Sequence, residues 1–223
     1  MANEKNAVSK KEIKVSISAP NIQTAVLRIV GETPLVMHRF WKKTELEREY
    51  ATQKSKSKSK NKDPRNYEQE YLAARHVSED GWVGFPVAAF RNAAVAACRL
   101  CGYQMVKAKL SIFVEADGLD DLDAAPLVKL DAGDPECHIA AVRNSDLSPG
   151  IRARPMWRDW AFNLRVSYDG DQFTVQDVVN LFARVGRQVG IGEGRPSSSK
   201  SCGLGWGLFR IDGVTLYKPE ESK

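Results

Sequence analysis

Five of the seven residues in Thr24-Ala25-Val26-Leu27-Arg28-Ile29-Val30 are apolar and only Thr24 and Arg28 are polar, a run that predicts a strand continuing into 33–40. Tyr67 to Val77 carries a modest helical pattern, and Gly81 to Pro86 is a short extended piece. The clearest predicted helix is alanine-rich, Val87 to Leu100. Pro86 stands before it, where a missing N–H is harmless, and Gly102 stands after it. Lys109 to Glu115 reads as a strand, Leu119 to Asp123 as an acidic turn, and 137–157 as an extended hairpin turning at Ser148-Pro149-Gly150. Trp160 to Val166 has the period of a half-buried strand. Val175, Val178, Val179, Leu181, Phe182 and Val185 form a helical stripe within 173–188, and Trp206 to Ile211 is a last strand.

Set in order, these elements predict an α+β protein with a ferredoxin-like or RRM-like βαββαβ core. The chain, 1–223, is then one domain with two large insertions, at about 32–85 and 117–157. In such a fold two helices cover one face of the sheet. The other face is free for RNA in the many proteins that use it so.

Charge changes this picture more than composition does. The formal charge is +5, and the segment from Lys54 to Arg65 alone carries five lysines and one arginine against the single Asp63. The rest of the chain is close to neutral. Residues 42–65 are highly charged, with Lys and Ser alternating from Lys54 to Lys60, which predicts a mobile low-complexity loop. Concentrated positive charge is the electrostatic footprint of a nucleic-acid partner, although a solvated loop has the same composition. No apolar run approaches the ~20 residues of a membrane span. The polar first eleven residues do not read as a secretory signal, and four cysteines read as reduced thiols, so a cytoplasmic protein is expected.

The densest local signal is the tail, with six glycines between Gly190 and Gly207 and Arg195, Lys200 and a serine run among them. Gly192 and Gly194 there are expected to bring backbone N–H groups close to a polyanion, with Arg195 and Lys200 as its cations. A long connection without a ligand is the plainer reading, but ordinary αβ connections run only about 2–6 residues. The lysine run Lys54, Lys56, Lys58 and Lys60 is read as an arm that contacts phosphates without reading sequence. In the hairpin, Arg143, Arg152 and Arg154 offer cations for phosphates, and Trp157 offers a plane for stacking bases. Arg91, near the start of the alanine-rich helix, must point outward or meet a partner.

Two of these motifs resemble the RAMP superfamily, and within it the backbone subunits of CRISPR effector complexes that polymerise along a guide RNA. Phe85-Pro86-Val87-Ala88-Ala89-Phe90-Arg91-Asn92-Ala93 resembles the family's proline-initiated first helix, with Arg91 at the position of a residue that faces guide phosphates. Gly190 to Phe209 resembles its glycine-rich loop before the last strand. The hairpin at 137–157 takes the place of the family's thumb, and 42–65 that of its finger-like insertion. Phe90 and Asn92, and the stretch Pro196 to Ser201, depart from the family pattern. No aspartate matches a target-cleaving one, so no cleavage role is carried over.

The resemblance implies a binding subunit for single-stranded RNA or DNA that self-associates along its ligand, with other CRISPR-type subunits as further partners. A divergent relative encoded by a mobile element is one form of it. Other readings stay open: a metal-independent endoribonuclease, a protein decoy of a CRISPR complex, and a phage single-strand annealing protein. For cleavage, His38, His76 and His138 are the only histidines, and no spacing places an acid beside any of them. Cys98-Arg99-Leu100-Cys101 lacks the second pair of a zinc site and reads as small buried thiols. No cofactor, metal or catalytic residue is expected, and no phosphate-loop or nucleophile-elbow motif is present.

Overall fold

A computed structural model describes residues 17–39, 66–143, 149–199 and 202–217. The expected lysine arm (Lys54, Lys56, Lys58, Lys60) and Lys200 lie outside the described residues, as does the side chain of Arg143. The protein is mixed α+β, with three antiparallel sheets and four α-helices among the described residues.

The first strand, β1 (Ile22–Gly31), turns Ala25, Leu27 and Ile29 fully inward and leaves Thr24, Val26 and Arg28 half-exposed, since successive side chains point to opposite faces. It is central in a four-stranded sheet, between β10 (Ala161–Asp169) and β11 (Phe209–Tyr217). The short β5 (Ile112–Val114) completes the sheet beside β10, and every neighbouring pair is antiparallel.

Numbering helices in chain order, α1 is Tyr67–Ala73, α2 Val87–Ala97, α3 Met105–Ser111 and α4 Val175–Arg184. Helices α2 and α4 touch each other and bury Phe90, Val178, Leu181 and Phe182 in one core with Leu27, Phe162 and Leu164. The Phe90 ring meets Phe162 edge-on at 5.1 Å. Burying side chains of this size stabilises by about 1.5–3 kcal/mol each. Helix α4 begins with a reciprocal cap: the Thr174 hydroxyl accepts from the Asp177 N–H at 3.2 Å, and the Thr174 N–H donates to the Asp177 carboxylate at 2.9 Å.

The remaining strands build two smaller sheets. One has the order β2 (Leu35–Val36), β9 (Pro149–Trp157), β8 (Glu136–Arg143). The other has the order β3 (His76–Val77), β4 (Val83–Pro86), β7 (Pro126–Lys129), β6 (Gly118–Leu119). Strand β4 passes directly into α2 at Pro86.

One expected element differs. The first three residues of the strand expected at 109–115 belong to helix α3, and the strand itself is Ile112–Val114. Ala108 and Ser111 are buried three positions apart, a helical spacing, whereas alternation begins only with Ile112 and Val114 inward and Phe113 outward.

Candidate nucleic-acid interface

An open groove of about 1090 Å³ is walled by α2, by the β8–β9 hairpin and by the glycine loop after α4. Ala89, Ala93 and Ala96 share one face of α2 at helical spacing, and their small side chains keep that wall low. Arg152 and Arg154 stand two residues apart on β9, opposite Ala140 and His138 of β8, so both project from one face of the hairpin. The loop adds Glu193, Arg195, Ser197 and Ser198. Arg152, Arg154, Arg195 and Gly192, expected separately from the sequence, therefore meet in one place.

The hairpin and the loop are locked together. Arg154 forms an ion pair with Glu193, their side chains only 11% and 24% exposed. Burial pulls the Arg154 pKa below its ordinary value, Glu193 pulls it back up, and neighbouring Arg152 pushes it further down. Beside this pair, the His138 ring meets Trp206 edge-on at 5.3 Å. Arg195 is braced within the loop, donating to the Ser197 hydroxyl at 3.2 Å and the Gly192 carbonyl at 2.9 Å.

Several backbone N–H groups of the loop are used within the fold. The N–H of Ile191 donates to Gly207, that of Glu193 to Val36, and that of Gly207 to Pro34, at 2.8–3.0 Å. Gly192 and Gly194 serve packing: both have φ near +75°, and a Cβ would come within 2.8 Å of the Val36 carbonyl at the first and 2.6 Å of the Trp206 ring at the second.

Trp157 is a correction. Its ring is 3% exposed and belongs to the core, with the indole N–H donating to the Gly133 carbonyl at 2.9 Å. Pairing of Leu35 with Trp157 brings β2 alongside it, so it has no face for a base. Arg91 is also engaged elsewhere. Its Nε donates to the Ile112 carbonyl at 3.1 Å, a terminal nitrogen donates to the Lys109 carbonyl, and the guanidinium lies 5.1 Å from the Phe113 ring centre. It caps the carboxyl end of α3, where a cation is favourable, and does not line the groove.

The open face of the main sheet neutralises itself. Arg28 pairs with Asp131, and Arg165 reaches Asp117 at 3.1 Å and Glu115 at 3.3 Å, while Ser167 donates to Glu115. A polyanion there has to displace these carboxylates, whereas the groove gathers three arginines around one carboxylate, Glu193.

One constellation is invisible to sequence spacing. His76 and exposed His38 both line the groove, and His76 Nδ1 lies 3.2 Å from Asp120 Oδ2. Asp120, fully buried, pairs with buried Arg39 and accepts from the Leu122 N–H at 2.9 Å. Burial lowers the His76 pKa, only partly opposed by the Asp120 hydrogen bond, so the imidazole is neutral near pH 7. The residues are 44 positions apart, and the acidic turn was the only hint in the sequence. Cys98 is a buried free thiol and Cys101 an exposed one.

Compared with known proteins, the chain matches no family model and no curated protein sequence. No helix among the described residues is long and apolar enough to cross a membrane.

Proposed function

We propose that this protein binds single-stranded nucleic acid, RNA in the first instance, in the groove, and associates side by side along the strand as a RAMP-like subunit. The observation that carries the reading is the convergence of Arg152, Arg154 and Arg195 on one groove with an apolar floor. Phosphates lie along the arginine wall, and bases lie against Ala93, Ile191 and Leu204. We read β1, α2, β5, β10, α4 and β11 as a ferredoxin-like βαββαβ core. The sheet order β11-β1-β10-β5 supports this, since two interleaved βαβ units place their strands so. The remaining sheets are then insertions, and the lysine arm (Lys54 to Lys60) adds affinity without sequence preference.

The test is fluorescence anisotropy with labelled oligouridine and oligothymidine at several salt concentrations, read beside particle mass and any co-purifying nucleic acid. Wild type binds, and the double variant Arg152→Ala/Arg195→Ala weakens binding and flattens the salt dependence by roughly 1.4 in log–log slope, about 0.7 per phosphate lost. A monomer that binds neither oligonucleotide at low salt overturns the reading and favours a protein decoy. Preference for thymidine with no mass change favours single-strand annealing.

His76 and Asp120 favour a second reading, metal-independent cleavage of RNA in the same groove. Here neutral His76, oriented by Asp120, takes the proton of a 2′-hydroxyl as its oxygen attacks the adjoining phosphorus; the P–O5′ bond breaks, leaving a 2′,3′-cyclic phosphate and a 5′-hydroxyl whose oxygen takes its proton from water. Labelled RNA stays intact if the protein only binds. A product that vanishes with His76→Ala, and with 2′-deoxy substitution at the cut, establishes cleavage.

A further inference from the structure

Glu193 is the sole acidic residue among the described residues that line the groove, and it pairs with Arg154, whose side chain is 11% exposed. We infer that Glu193 occupies the place of a phosphate on Arg154, so that a strand enters by exchanging a backbone phosphate for the Glu193 carboxylate. This rests on the nucleic-acid reading of the groove and adds its control element.

The loop backbone is poorly able to move aside. Glu193 is held through its own N–H on Val36, and its neighbours Gly192 and Gly194 pack too closely to admit a Cβ. The side chain, 24% exposed, is the part that reaches solvent. Arg154 is 11% exposed and surrounded by hairpin and loop, so a rotation of the carboxylate changes what Arg154 pairs with while the arginine stays. Exchange is isoelectric at Arg154, because one monoanion replaces another and the buried guanidinium is not left alone. A released Glu193 takes up a solvent cation. That uptake cancels the release of one counterion from the strand, and the wild-type salt slope is shallower by one phosphate than the number of arginines implies.

The experiment measures oligouridine binding by wild type, Glu193→Gln, Arg154→Gln and the double variant across a salt series. Exchange predicts that Glu193→Gln binds roughly three- to tenfold tighter at low salt, with a slope steeper by about 0.7, and that the gain disappears in the Arg154→Gln background. An equal gain in both backgrounds means general repulsion and overturns exchange, as does unchanged affinity in Glu193→Gln. Should Arg154→Gln not fold, the side-chain NMR signal of Arg154 Nε–H in wild type decides: it shifts on adding oligouridine if phosphate replaces the carboxylate, and a stationary signal overturns the inference. If neither wild type nor Glu193→Gln binds, the nucleic-acid reading itself falls.

Discussion

Arg39 and Asp120, 81 residues apart in the chain, form an ion pair in which neither side chain is more than 2% exposed. Asp121 supports the guanidinium at 3.2 Å, and His76 occupies the other oxygen of Asp120. The pair joins the segment after β2 to the acidic turn after β6, and it fixes His76 at the groove. A buried pair of this kind is more informative about specificity than about stability, because desolvation offsets much of the attraction.

Removing one partner is a different matter. Asp120→Asn leaves the buried Arg39 charge with only its half-exposed neighbours. It is expected to destabilise the protein by about 3–5 kcal/mol, read as a lower urea midpoint at unchanged slope. A loss within about 0.5 kcal/mol would mean that the surface carboxylates suffice.

The depressed pKa of His76 gives a pH dependence with a definite sign. Below its ordinary value of 6.5 the unfolded chain takes up a proton that the folded chain resists, so stability falls as pH falls through that window. Unfolding midpoints of wild type and His76→Gln, measured between about pH 7.5 and about pH 5.5, should converge on the acid side. Parallel curves would place the titration elsewhere.

Trp157 should matter to stability alone. Trp157→Phe opens space in the core and orphans the Gly133 carbonyl, at about 1–3 kcal/mol. Oligouridine affinity of the folded variant should equal that of wild type. Weaker binding by a fully folded Trp157→Phe would restore the stacking role.

The glycine loop can be tested at two positions with opposite expectations. Gly207 has φ +70°, and a Cβ there would overlap the Ile191 carbonyl, so Gly207→Ala should cost about 3 kcal/mol or more. A Cβ at Gly203 meets nothing within 4 Å, so Gly203→Ala should leave the melting temperature nearly unchanged. Equal melting temperatures for both variants would show that the loop is not packed as described.

What could be read along the chain was the local part. The apolar run of β1, the apolar stripe of α4 and the Pro86 start of α2 each mark an element, and each arises within a few residues. The hairpin was legible for the same reason, and so was the gathering of basic residues on it. Tertiary structure alone decided which of those residues are available. Arg152 and Arg154 face the loop, while Trp157 is enclosed because β2 pairs with that end of β9. Arg91 is turned to α3, a helix the pattern did not reveal because Lys107, Lys109 and Leu110 carry no burial period of their own. His76 with Asp120 and Arg154 with Glu193 are partners across 44 and 39 positions. Periodicity encodes a direction of burial, but not which distant element supplies the opposing charge. That is set only when the elements pack.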